Sequence, residues 1–100
     1  MKTNSGSAYV ALMTIEIFIT DAQSLKEKRG VVRGLCEQIR ARFNASVAEI
    51  GYQDKWQRSL IGVTIVSGDR RKLEIEMGRV QQLCEKAPRL EIVDIRQQWL

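Results

Sequence analysis

The stretch Ser24–Phe43 constrains the fold more than any other, because it predicts one long amphipathic helix. Ser24 is followed three residues later by Glu27. This is the spacing of a capping box, in which the hydroxyl accepts a backbone bond and the carboxylate bonds back to the cap. Six apolar side chains fall within about 100° of the helical wheel: Leu25, Val32, Leu35, Cys36, Ile39 and Phe43. One face of this helix is therefore built to be buried against another element.

A neighbouring arc of the same helix is basic. Its members lie within roughly 60° of one another, and they are Lys26, Arg29, Arg33 and Arg40. The chain has a net charge of +4, and Ser24–Phe43 carries all of it, with six basic and two acidic residues against ten of each sign elsewhere. This concentration favours a polyanionic partner: nucleic acid, an acidic protein or an anionic surface. The alternative is a solvated face that serves only solubility.

Four further segments predict strands. Ala8–Ile19 has an apolar side chain at every odd position, which predicts one fully buried strand face. Ser46–Tyr52 predicts a weaker edge strand, and Leu60–Ser67, rich in β-branched residues, a strong one. In Arg89–Leu100 the alternation slips between Leu90/Ile92 and Val93/Ile95, which indicates a bulge or irregular edge pairing in the last strand.

A second helix is predicted over Arg70–Lys86, where apolar side chains recur every three or four residues. The order is then β-α-β-β-α-β, and two right-handed crossovers place both helices on one face of a four-stranded antiparallel sheet. The predicted fold class is α+β with a ferredoxin-like architecture. Residues 8–100 form its single domain, and residues 1–7 form a flexible N-terminal tail. We expect Asn44 to end the first helix, because Asn tolerates the left-handed conformation.

The sheet face opposite the helices has no cover from within the chain. It would display Val10, Leu12, Phe18, Leu60 and Val66. That is more apolar surface than a soluble monomer usually exposes. We therefore expect a homodimer through this open sheet face, or a protein partner that covers it.

Composition argues against metal sites and against catalysis. The chain has no His, and Cys36 and Cys84 are its only cysteines, so no zinc or iron–sulfur site and no other cofactor is expected. Both cysteines lie on apolar helix stripes and predict buried free thiols in a reducing cytoplasm. No nucleophile–base pair and no phosphate-cradling glycine loop is present, so we predict no catalytic residue and no enzyme.

We also expect no targeting signal in this sequence. Residues 1–7 are polar and have no apolar region of the kind that signal peptides carry. No apolar run approaches the roughly 20 residues that span a bilayer. We expect a cytoplasmic protein without membrane contact.

Lys28 lies inside the apolar arc of the first helix, unlike the other cations. We keep it as a candidate for anion binding. The interpretation that we favour is that its stem packs on the core and its ammonium group reaches solvent.

The polar loop Gln53–Arg58 combines an indole with two cations. A base could stack on Trp56, while Lys55 and Arg58 contact phosphates. The alternative is that Trp56 folds back over an open edge of the core. We also expect an ion pair between Asp54 and Arg58 that orders the loop.

Several strings resemble the signature of the YlxP-like bacterial family, a domain of unknown function. They are QSLKEKR at Gln23–Arg29, shorter strings within Phe43–Val63, and Val66–Asp69 at the entry to the second helix. The resemblance covers residues 8–100 in the family's order. It implies a ferredoxin-like domain of the bacterial cytoplasm whose genes commonly lie among those for translation initiation and ribosome maturation. It implies no established activity, substrate or catalytic residue.

Three functional hypotheses follow. The first is a non-enzymatic accessory factor that binds structured RNA or the ribosome through Lys26, Lys28, Arg29, Arg33, Arg40, Trp56 and Arg58. The aromatic sheet motif of RNA-recognition domains is missing, so the helix and the loop would make the contact. The second hypothesis is a protein-interaction or dimerisation module, and the third is a small-molecule sensor.

Overall fold

The computed structural model describes residues 6–100, so residues 1–5 of the predicted tail lie outside it. The elements are β1 (Tyr9–Phe18), α1 (Leu25–Arg42), β2 (Ser46–Gly51), β3 (Arg58–Ser67), α2 (Arg70–Lys86) and β4 (Glu91–Trp99). The sheet runs β2-β3-β1-β4 with antiparallel neighbours throughout. The predicted ferredoxin-like α+β fold is confirmed, and the two strong strands are central.

The core lies between the sheet and the helix layer formed by α1 and α2. The odd-numbered side chains from Ala11 to Ile17 in β1 and from Ser59 to Ile65 in β3 face this layer and are fully or almost fully buried. The helices contribute Val32, Leu35, Cys36, Ile39, Leu73, Met77, Val80, Leu83 and Cys84. Among residues 6–100, no helix combines the length and apolar character needed to cross a membrane.

Both cysteines are buried and free, as predicted. Burial raises the pKa of Cys84 to about 11, and it also raises the pKa of Cys36. Because the thiolate is the reactive form of cysteine, both side chains behave as core residues rather than nucleophiles.

The ends of α1 follow the prediction only in part. Ser24 caps the helix, and its Oγ accepts a hydrogen bond from the Glu27 backbone N–H at 3.0 Å. The Glu27 carboxylate instead lies 3.5 Å from the Arg89 guanidinium. The prediction that α1 ends in a left-handed conformation at Asn44 is wrong. Phe43 caps the helix in an extended conformation, and the described non-glycine residues with positive φ are Tyr52 and Arg89. Phe43 packs against the core, which leads the chain directly into β2.

The predicted bulge in the last strand is confirmed. Ile17 pairs with Ile92 and Glu16 with Asp94, so Val93 is the extra residue. A second bulge was not predicted: Ile50 is extra in β2, between residues that pair with adjacent positions of β3.

Candidate nucleic-acid interface

One exposed ridge of α1 carries three cations without a partner. Lys26, Arg29 and Arg33 are all exposed, and within residues 6–100 none of them makes a hydrogen bond or an ion pair. They span about 10 Å along the helix axis. We call these three residues the α1 ridge. Their charges are fully available to an anionic ligand.

Arg40 continues the ridge but is partly engaged. Its Nη2 donates a hydrogen bond to the Val47 carbonyl oxygen at 2.7 Å. This contact ties the last turns of α1 to the edge strand β2. Arg40 is exposed, as predicted, yet it also holds the fold together at this point.

Lys28 corrects the sequence-based interpretation. Its side chain is 0% exposed, so it neither reaches solvent nor can contact a phosphate there. Its Nζ lies 2.6 Å from Glu49 Oε2 and donates to the carbonyl oxygens of Tyr52 at 2.8 Å and Gln53 at 3.3 Å. The chain after β2 folds over the first turn of α1 and supplies these acceptors, so the ammonium group needs no water. The Ser59 hydroxyl donates a further bond to the same Glu49 oxygen at 2.6 Å.

The loop between β2 and β3 is anchored at both ends. Lys28 holds its start, where Tyr52 adopts a left-handed conformation with φ 57° and its carbonyl also accepts from the Lys55 N–H. Gln57 holds its end, because its side-chain amide donates to the carbonyls of Thr20 and Ala22. The tip between these anchors, residues 54–56, is exposed. The buried lysine therefore fixes this tip relative to the helix that bears the α1 ridge.

Trp56 is not a plug over the core. Its side chain is 53% exposed and forms one wall of an open hollow of about 580 Å³. The hollow lies against the segment that joins β1 to α1, and its lining is Phe18, Ala22, Gln23, Lys55, Trp56, Gln57 and Arg58. An indole, an unpartnered ammonium group at Lys55 and two amide side chains meet here. This combination suits a planar ring with a phosphate attached.

Arg58 lines the hollow, but its charge is committed. It forms an ion pair with Glu16, donates to the Tyr52 hydroxyl at 3.1 Å and stacks on the Tyr52 ring at 4.2 Å from the centroid. The hydrogen bond to Glu16 raises the pKa of the guanidinium group. The predicted ion pair with Asp54 is therefore wrong. Arg58 begins β3 and points to the sheet side, where Glu16 is the nearer acid.

A second basic cluster was missed by sequence reasoning. Arg42, Arg79 and Lys86 line a hollow of about 440 Å³ between α1 and α2, with Glu76 as its acidic member. None of these cations has an ion-pair partner in the described part of the chain. Charge counted by element would have indicated that α2 is basic, because it has five basic and three acidic residues.

The described residues offer no metal centre. Nowhere in residues 6–100 do three or more His, Cys, Asp or Glu side chains come together in a group that could hold a metal ion. The features that remain for function are thus the α1 ridge, the Trp56 hollow, the second basic cluster and the open sheet face.

Three comparisons place the chain among known proteins. Residues 10–97 match the family described as "Protein of unknown function (DUF503)". The "Uncharacterized protein YlxP" of Bacillus subtilis (strain 168) is 42% identical over 84 residues, which is 84% of this chain and 91% of that protein. Among solved structures, the "De novo designed protein Foldit4" covers 92% of this chain and 97% of its own, with a TM-score of 0.52 and 16% identity. At that identity, the designed protein supports the fold alone.

Proposed function

This chain belongs to the DUF503 family of proteins of unknown function, and we propose that it is an RNA-binding accessory factor of the bacterial cytoplasm. It acts by binding rather than by catalysis. Its RNA is structured and contains unpaired bases, as ribosomal RNA does. The contact surface is the α1 ridge together with the Trp56 hollow.

The observation that carries this proposal is the unpartnered state of the α1 ridge. Six ion pairs involve other basic residues of the described chain. Lys26, Arg29 and Arg33 are left without one, although Glu27 and Glu37 lie on the same helix. Cations that release condensed counterions from phosphates supply most of the affinity of non-specific RNA binding.

The Trp56 hollow adds a preference for unpaired bases. An exposed indole fixed by an anchored loop offers a stacking surface at little entropic cost. The side-chain amide of Gln57 already donates to two backbone carbonyl oxygens. The amide of Gln23 and the ammonium group of Lys55 are therefore the donors of the hollow that remain for a nucleotide. The gene neighbourhood that the family resemblance implies supports ribosomal RNA as the RNA that is bound.

The test is the affinity for a fluorescein-labelled ribosomal RNA stem-loop, measured by anisotropy over a series of KCl concentrations. The three phosphate contacts of the α1 ridge and one at Lys55 predict a slope of about −3 to −4 in the plot of log K against log salt. The variant K26E/R29E/R33E should lose about 500-fold in affinity at 0.1 M salt, since three contacts disappear. We leave Arg40 intact because it holds Val47.

The matched control is R71E/K72E/R79E, which makes the same change in net charge on exposed, unpartnered cations of α2. This variant should keep most of the affinity. Equal losses in both triple variants, or no loss in the first, would contradict a specific role of the α1 ridge.

The second arm of the test concerns the hollow. Trp56→Ala should weaken binding by about 5- to 150-fold, the equivalent of about 1–3 kcal/mol for one stacked base, without changing the salt slope. Trp99→Ala is the control, because that ring already stacks under Arg70 at 4.3 Å. If a discrete small molecule copurifies and Trp56→Ala releases it while RNA binding is absent, the sensor hypothesis replaces this one.

A further inference from the structure

The sheet face turned away from the helices bears apolar side chains that no other element of the described chain covers, and we propose that a second copy of this chain docks on it, sheet against sheet. We call it the open sheet face. Val66 is 58% exposed and Ile50 is 48% exposed. Their half-buried neighbours are Val10, Leu12, Phe18 and Leu60.

The strand register places these side chains on the same side of the sheet, with Thr14, Thr64 and the Glu16–Arg58 ion pair between them. Val10 and Val66 are directly paired across β1 and β3. At the β2 edge of the same face, Ile50 bulges out of its strand and lies over Gly62. A Cβ added at Gly62 would lie 3.2 Å from the Ile50 Cδ1 atom. The glycine therefore allows the isoleucine to lie flat across the central strand. Two sheets that pack face to face interdigitate the side chains of their facing sides.

The distribution of charge over the two layers favours a second copy over a charged partner. The basic groups on the open sheet face are already neutralised within the same chain, because Arg58 pairs with Glu16 and Arg96 with Asp94. In contrast, α1 and α2 carry net charges of +4 and +2. Two copies that meet through their sheets keep these basic helix layers apart, whereas any packing of helix layer on helix layer brings them together.

The available area sets the strength of the dimer. Strands nine or ten residues long, with the shorter β2 at one edge, give roughly 500–600 Å² per copy at about 4.8 Å between strands and about 3.3 Å per residue. The total of roughly 1,100 Å² is at the low end for a specific interface. A symmetric contact of this size is typical of a weak, reversible dimer with a micromolar dissociation constant.

The experiment is sedimentation equilibrium of the purified protein from about 1 to 300 µM in about 0.5 M KCl, where surface charge effects are screened. The native chain should pass from monomer to dimer within this range. Val66→Asp should raise the dissociation constant by about tenfold or more, because each interface would bury two unpaired carboxylates. Ile50→Asp should have the same effect. It tests the same face from a second strand, so the result does not depend on the substitution in β3 alone.

Ile75→Asp is the matched control. Ile75 is 47% exposed, almost the same as Ile50, but it lies on α2. This variant should dimerise like the native chain. A native chain that stays monomeric at 300 µM would overturn the proposal, and so would a dimer unaffected by Val66→Asp or equally weakened by Ile75→Asp. Because the Val66 side chain is exposed, its substitution leaves the core intact, and circular dichroism verifies the fold of each variant.

Discussion

At the scale of single residues, Lys28 connects the fold to the candidate interface. It is fully buried, yet its ammonium group has a carboxylate and two carbonyl oxygens as partners. A buried charge of this kind is tolerated only while its partners remain in place. Lys28 therefore does not bind RNA itself. It positions the start of the loop that presents Trp56.

Replacing Lys28 with Met tests this role. The substitution keeps the length of the side chain but leaves Glu49 and two loop carbonyls without their donor. It should lower the free energy of unfolding by about 3–5 kcal/mol, measured by urea denaturation. The double variant K28M/E49Q removes both charges and keeps an amide oxygen for Ser59, so it should regain a large part of the loss. A cost below about 1 kcal/mol for K28M would show that the ion pair does not hold the loop.

The errors of sequence reasoning at this scale share one cause. Lys28 and Arg58 are polar residues that the chain places next to Glu49 and Glu16, which are far from them in sequence. The first pair depends on how α1 packs on β2 and the second on the register of β1 and β3, and the position of a residue within its own element does not contain that information. One signal was present: Glu49 shares the core-facing side of β2 with Val47. An acid at such a position predicts a buried cation as its partner.

At the scale of elements, the sequence predicted the bounds and bulges correctly where capping, stop and alternation signals are strong. The bounds of α2 follow from the Asp69 cap, whose side chain accepts from the Lys72 N–H, and from the Ala87–Pro88 stop. The bulge at Val93 was visible as a slip in alternation. The start of β3 was missed because Arg58 and Ser59 are polar. Ser59 nevertheless takes a fully buried position, since its hydroxyl group donates a hydrogen bond to Glu49.

Two glycines in α1 lead to a prediction about the stability of that helix. A Cβ built at Gly30 or Gly34 meets no atom within 4 Å beyond the helix itself. Gly costs a helix roughly 0.5–1 kcal/mol relative to Ala, so the variant G30A/G34A should gain about 1–2 kcal/mol in the free energy of unfolding. Gly62→Ala is the contrasting variant and should gain nothing, because its Cβ would crowd Ile50. A loss of stability in G30A/G34A would mean that less space surrounds these two positions than the 4 Å found here.

At the scale of the whole molecule, charge and apolar surface are separated onto opposite sides. The helix layer carries the net positive charge, and the open sheet face carries compensated ion pairs and apolar side chains. The two-layer fold itself produces this separation, because each strand alternates between a side covered by helices and a side without cover. The sequence predicted both surfaces in outline. It could not show that α2 adds a second basic cluster to the same layer, because that requires the packing of the two helices.

This separation predicts that the α1 ridge and the dimer contact at Val66 are independent, although Phe18 lines the Trp56 hollow as well as the open sheet face. The α1 ridge and Val66 lie on opposite layers with the core between them, and substitutions at distant sites without shared partners usually add within about 0.5 kcal/mol. K26E/R29E/R33E should therefore leave the dimer dissociation constant within about twofold in 0.5 M KCl. Val66→Asp should leave the affinity for a short RNA stem-loop within the same factor, since one copy supplies the whole contact. If Val66→Asp instead weakens binding of the short stem-loop by tenfold or more, the RNA surface is complete only in the dimer and the one-copy interface is wrong.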